Sequence, residues 1–236
     1  MINVDRVYQR VLTLANKEQR GYITPQEFNI FANQAQMDIF EQYFYDLNQF
    51  RRVPGNDTQH ADMVDMLEEK ISVFEVTGVL TLTLQANGPT GNLNGLPRFY
   101  RLSNVRSGNT IMESVSRKDF RMFPNSPLAA PTADRPIYMV DTVNNTIQIA
   151  GNDELTEANI DYIQSPRMAS WTYMVVGGKA LFNATANDRQ DFDLHPSEET
   201  ELVLKILTLA GFTLKDPELY QIAAGEDAKN IQQEKQ

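Results

Sequence analysis

The hydrophobic period of this chain changes twice, and those two changes constrain its fold more than any other feature. Up to about residue 72, apolar residues recur at helical spacing. From residue 73 they alternate or cluster as β-branched runs, and from 196 the helical spacing returns. At 236 residues the chain is long enough to bury a core without disulfides or metals, as one large domain or two small ones.

Three helices are expected in the first stretch. Val4, Val7, Tyr8, Val11 and Leu12 lie on one face of the first, and Gly21 ends the polar stretch behind it. The second opens on Thr24-Pro25-Gln26-Glu27, where Thr24 caps, Pro25 suits the first helical position and Glu27 closes a capping box. Phe28, Phe31, Ala32, Ala35, Ile39, Tyr43 and Leu47 share its inward face, so it extends from Pro25 to about Asn48. Pro54-Gly55-Asn56-Asp57 is a break. A third helix over 59–72 points Val64, Leu67 and Ile71 inward, and Asp62, Asp65, Glu68 and Glu69 outward.

Residues 73–84 alternate Thr with Leu near their end and open a β region. Further strands are predicted at 97–104, 110–115, 137–141, 146–150 and 158–164, with a hairpin turn at Asn144-Asn145. Two long connections interrupt them. Residues 87–97 hold three Gly, three Asn and two Pro, and read as a loop without structure of its own. Residues 124–136, with Pro124, Pro127, Pro131 and Pro136, favour an extended, semi-rigid arm. Connections of this length are either plain surface loops or segments ordered by neighbouring subunits.

Helical signals return at His195-Pro196-Ser197-Glu198-Glu199, where Pro and acidic residues suit a first turn. Leu202, Val203, Ile206 and Leu209 supply an apolar stripe, and Gly211 a stop. Asp216-Pro217-Glu218 opens a last helix carrying Leu219, Ile222 and Ala223, and beyond Gly225 the chain is almost wholly polar. The expected fold is therefore α+β. A helical part is built from residues 1–72 and 196–236, around a central antiparallel β sandwich or small barrel at 73–195.

Little here points to catalysis. With no cysteine there is no disulfide, thiolate zinc site or cysteine nucleophile. The two histidines are His60, in a polar first turn, and His195, among Asp188, Asp191, Asp193, Glu198 and Glu199. That cluster matches no metal-ligand spacing and reads as a helix start with dipole-favourable carboxylates. Gly177-Gly178-Lys179-Ala180 lacks the first glycine and the hydroxyl of a phosphate-binding loop, so it reads as a turn. The aromatic stripe of the second helix reads as core. No catalytic, cofactor-binding or metal residue is assigned, no cofactor is expected, and the chain is read as a non-enzyme.

A net charge of −10 disfavours nonspecific nucleic-acid binding and suits a surface that nucleic acid slides past. Met-Ile-Asn-Val-Asp-Arg lacks a cationic region followed by an apolar run, so no signal peptide is expected. The sequons at Asn56, Asn144 and Asn183 therefore carry little weight. Apolar runs are too short to span a bilayer.

Residues 192–211, continuing through Lys215-Asp216-Pro217-Glu218-Leu219, resemble virion structural proteins of crAss-like and other short-tailed phages. Residues 20–50, Ser116-Arg117-Lys118-Asp119-Phe120 and the Pro-rich stretch that follows share the likeness. The nearest group is the ring proteins of the head–tail connector, similar in layout to the tubular tail adaptor of podoviruses. The likeness covers most of the chain, in segments and not in catalytic motifs. It implies a homo-oligomeric ring, commonly of twelve copies, below the portal. Such a ring contacts the portal, an adjacent ring or tail proteins, and conducts DNA without reading its sequence. The implied location is the neck or tail of the virion, assembled in the host cytoplasm and without membrane contact. The alternative is a tail or baseplate β-module that binds host-surface glycan, for which an aromatic platform in the β part would speak.

Overall fold

The computed structural model describes residues 1–17, 23–52, 58–85 and 88–213. It falls into two compact units: Met1–Val73 with the described residues from Pro166 onward, and Phe74–Ser165. Helices occupy Val4–Lys17 (α1), Pro25–Arg52 (α2), Thr58–Ser72 (α3), Arg117–Met122 (α4) and Glu199–Thr213 (α5). Strands occupy Glu75–Gln85 (β1), Gly88–Asn92 (β2), Phe99–Ser107 (β3), Thr110–Ile111 (β4) and Glu113–Ser114 (β5). They continue with Ile137–Asp141 (β6), Thr146–Ala150 (β7), Glu157–Gln164 (β8), Tyr173–Val176 (β9) and Lys179–Phe182 (β10). Gly21, the 54–57 break with its Asn56 sequon, the side chains of Asp62 and His60, and the last helix and tail lie outside the described residues.

In the helical unit, local signals and packing agree. The first stripe is buried at Val4, Val7, Tyr8 and Val11, with Leu12 half-buried. The capping box at the start of α2 forms in full. The Thr24 N–H donates to Glu27 Oε2 at 3.0 Å, and the Glu27 N–H donates to Thr24 Oγ1 at 3.3 Å. The Thr24 hydroxyl, donating to Glu27 Oε2 at 2.7 Å, and then the Thr24 N–H hold the Glu27 carboxyl below its ordinary value, against an opposing effect of burial. Phe28, Ala32, Ala35, Ile39, Phe40 and Tyr43 of α2 are buried, and α2 packs against α3 and α5. The N-terminal helices and α5 thus share one helical core.

Gly211 does not stop α5, which continues to Thr213. A helical glycine costs about 1 kcal/mol against alanine. Burying a single leucine contributes about 1.5–3 kcal/mol, and Leu202, Ile206 and Leu207 are all buried. Packing outweighs the local stop signal.

The second boundary differs from the expected position at residue 195: residues 166–195 belong to the helical unit. A polar stripe on α2 holds them there. The Asn29 side chain accepts from Trp171 N–H at 2.9 Å and donates to the Trp171 carbonyl at 3.2 Å. One turn on, Asn33 does the same to Ala169 at 2.8 and 2.9 Å. Gln36 then donates to the Arg167 carbonyl at 2.7 Å and accepts from the Asp193 N–H at 3.1 Å. Residues one helical turn apart advance about 5–6 Å, close to the two-residue repeat of an extended chain. A helix face therefore satisfies alternate peptide groups as a neighbouring strand would.

The β unit is a nearly closed, barrel-like sheet. Strand order is β4-β3-β8-β1-β2-β7-β6-β5, antiparallel except for the β5–β6 pair. β1 pairs with β8 through its first seven residues and with β2 through its last four. β4 and β5 stand at opposite ends of the order, yet only Met112 separates them in sequence. The single strand expected at 110–115 is therefore two: the chain leaves β3, buries Met112, and pairs at once with β6. Leu80, Leu82, Leu93, Val105, Tyr138, Ile147, Ile149 and Ile160 fill the interior. Ile137 and Met139, on the other face of β6, form a second cluster with Phe120 of α4.

Both expected loops are structured. Residues 88–92 form an internal strand between β1 and β7, followed by a 3-10 turn at Leu93–Gly95. Residues 124–136 are a chain of turns, with a bridge between Thr132 and Arg135, in place of an extended arm. Gly and Pro masked β2 because close approach, not side-chain packing, defines it. Gly88 has φ +105°, and a β-carbon there would collide with the Ile149 carbonyl oxygen. Replacing Gly88 with alanine should therefore destabilise the protein by upward of about 2 kcal/mol, measured as a lowered urea midpoint. A change below about 0.5 kcal/mol would show that β2 is free to shift.

Candidate functional site

The acidic cluster around His195 is taken apart by the fold. Asp191 accepts the Val4 N–H at 3.0 Å and pairs with Arg189 at 2.8 Å. Asp193 holds Arg167 by two points, at 2.6 and 2.9 Å. That hydrogen bonding raises the Arg167 guanidinium above its ordinary value, against the opposing effect of burial. Glu198 pairs with Lys70 at 2.8 Å, and Glu199 with Arg6 and Arg10 at 3.0 and 2.6 Å. His195 caps a 3-10 turn at Pro196–Glu198, its Nδ1 lying 2.8 Å from Ser197 Oγ. Each of these four carboxylates answers its own cation, so they are structural anchors of the helical unit. Among the described residues, no group of three His, Asp or Glu converges to hold a metal.

Gly177-Gly178-Lys179 is a turn, and the strands it joins are the unexpected part. β9 and β10 pair as an isolated two-stranded ribbon, Val176 opposite Lys179 and Tyr173 opposite Phe182. Gly177 and Gly178 have φ of +59° and +79°, the backbone of a two-residue turn that matches strand twist. Trp171 anchors the base, stacked at 5.9 Å on Tyr173 and at 5.8 Å on Phe182. Thr172 and Asn183 close it with two hydrogen bonds, at 2.8 and 2.9 Å.

Directly opposed residues share a face. Tyr173, Phe182, Val175 and Ala180 lie on the side that stacks on Trp171, while Met174, Leu181, Val176 and Lys179 form the other side. Val175 is 67% exposed, and Met174, Val176 and Leu181 are each about half exposed. Neither outer edge of the ribbon is paired with another strand among the described residues. From residue 169 to 187 the only charged side chain is Lys179, in a chain whose net charge is −10. Two apolar runs separated by Gly-Gly are a hairpin signal, and the expected turn lies at its tip.

The chain matches no protein-family model, and no curated protein resembles it at a significant level. The structure itself defines an α+β protein with a helical unit, a nearly closed, barrel-like β unit and an exposed apolar ribbon.

Proposed function

We propose that this protein is a virion structural subunit that assembles into a ring of the phage head–tail connector, below the portal, and lets DNA pass from head to tail. The observation that carries this reading is the β9–β10 ribbon. A lone two-stranded hairpin is marginal in water, and open edges with apolar faces are a template for another chain. A second copy suits it: the ribbon bears one positive charge, and the rest of the chain is acidic. Because the ribbon offers its Met174–Leu181 face and two edges to a different surface of its neighbour, the contact is heterologous and propagates into a ring when the rotation closes. A twelve-membered ring would carry about −120 formal charges, so phosphate is repelled and DNA slides. The glycan-binding alternative expects a row of exposed rings on the barrel; among the described residues there, Tyr100 is the one exposed large aromatic side chain.

Native mass measurement of the purified protein, alone and with a phage portal, tests this. The wild-type chain is expected to form a closed oligomer, and the double variant Met174→Asp, Leu181→Asp to remain a monomer. Because both side chains are about half exposed, the variant's thermal midpoint should stay near the wild-type value. A wild-type chain that stays monomeric in both conditions sinks the proposal.

A further inference from the structure

The β-barrel unit carries a cleft that the ring reading does not use. It lies between α4 with the Phe123–Asn125 turn and the outer face of β6 and β7. Its volume is about 470 Å³, and Arg117, Phe120, Arg121, Pro124, Met139 and Gln148 line it. That size falls within the roughly 300–1,000 Å³ of small-ligand sites.

We infer that this cleft binds a carboxylate carried on an apolar body, an aromatic or branched acid whose charge meets Arg121 and Arg117 while its body rests on Phe120, Pro124 and Met139. Three observations carry the inference.

The first is charge. Arg117, Lys118 and Arg121 crowd onto α4, in a chain that is acidic overall. Asp119 is the one acid of that helix, and the Ser116 cap engages it, with Oγ donating at 2.7 Å. Arg117 and Arg121 stand four residues apart, where like charges repel in the absence of an anion.

The second is the inventory of partners. Arg117 donates to Asp141 at 3.2 Å. That carboxylate also accepts the Asn144 side chain at 2.9 Å and the Val143 N–H at 3.2 Å, so it is shared. Arg121 has no ion-pair partner among the described residues. A guanidinium offers five N–H donors in a planar fork, so both arginines keep donors for a bidentate acid. Gln148, on the opposite wall, adds an amide.

The third is the floor. Phe120 and Met139 are buried in the cluster beneath α4, and Pro124 adds a rigid apolar edge. Such a surface wants a hydrocarbon group, which inorganic phosphate lacks. A polyanion is further disfavoured by the net charge of −10.

Titration of the full chain, labelled at its methionine methyls, tests this with four probes: 3-phenylpropanoate, its neutral amide, the capped dipeptide N-acetyl-Phe-Asp-amide, and inorganic phosphate. The acid is expected to shift the Met139 methyl saturably at millimolar concentration. The amide and the Arg121→Gln variant should each bind roughly tenfold more weakly. Gln148→Ala, on the other wall, should also weaken the acid, and Arg101→Gln, on exposed β3, should not. Tighter binding of the dipeptide than of the free acid identifies a peptide segment as the source; the reverse identifies a free small acid. Equal binding of acid and amide, displacement of the acid by phosphate, an unmoved Met139 methyl, or indifference to Arg121→Gln would each overturn the inference.

Discussion

Replacing Trp171 with alanine is expected to cost the protein about 3–5 kcal/mol of stability. Trp171 is 2% exposed and is among the largest fully buried side chains. Its ring lies 4.1 Å from Tyr8, centroid to centroid, and Tyr8 in turn meets Phe28 edge-on at 4.8 Å. The indole N–H donates to Asp5 Oδ1 at 2.9 Å. Truncation therefore opens a cavity between α1 and α2 and removes the donor that Asp5 accepts. It also takes away the platform on which Tyr173 and Phe182 stack, so the proposed assembly should fail along with stability. Chemical unfolding followed by far-ultraviolet circular dichroism is the right probe, because the chain has a single tryptophan. A loss below about 1 kcal/mol would mean that the ribbon and its docking segment fold without this anchor.

The second large effect is expected at Glu198, which is only 3% exposed. Lys70 Nζ reaches its carboxylate at 2.8 Å, and Ser197 Oγ donates to it at 2.9 Å. Glu198→Ala removes the carboxylate that lies 2.8 Å from the largely buried Lys70 ammonium, which also sits 5.8 Å from the Tyr43 ring centroid. The expected cost is about 2–4 kcal/mol, below the range for a wholly buried pair because Lys70 keeps some access to water. The double change Lys70→Met, Glu198→Met should recover much of that loss, since replacing both partners removes the buried charge.

The same pair predicts a pH dependence. Burial alone would push the Glu198 carboxyl up, but the hydrogen bond and charge of Lys70, with help from Glu201 and Ser197, hold it below its ordinary 4.5. A group whose folded value is depressed stabilises fully above its unfolded value. It loses that contribution as pH falls through the folded one. Stability should therefore fall from about pH 4.5 downward, and Glu198→Gln should flatten that acid limb. Parallel limbs for the wild type and Glu198→Gln would assign the acid loss to other carboxylates.

Much of the fold was legible because it rests on interactions within a few residues. The capping box at Thr24 and Glu27, the limits of β6 and β7, and the turns at Asn145 and Gly177-Gly178 all follow from local backbone chemistry. Amphipathic spacing likewise placed α1, α2 and α3 and separated a helical part from a β part. The candidate site was less legible. The ribbon's sequence signal was present, but its exposure was not, since an apolar strand of four residues looks the same in a core and on a surface.

Sequence alone determined the period of most elements, several of the caps and turns that bound them, the α+β class and the acidic balance. Only the tertiary structure decided that Asn29, Asn33 and Gln36 act as a pseudo-strand for residues 167–171. It also decided that one residue, Met112, carries the chain from one end of the strand order to the other, and that Glu198 is buried against a lysine from a distant helix. Each of these joins groups far apart in the chain, and their partners are chosen by shape and by unmet hydrogen bonds. Neither is encoded in the spacing of neighbouring residues.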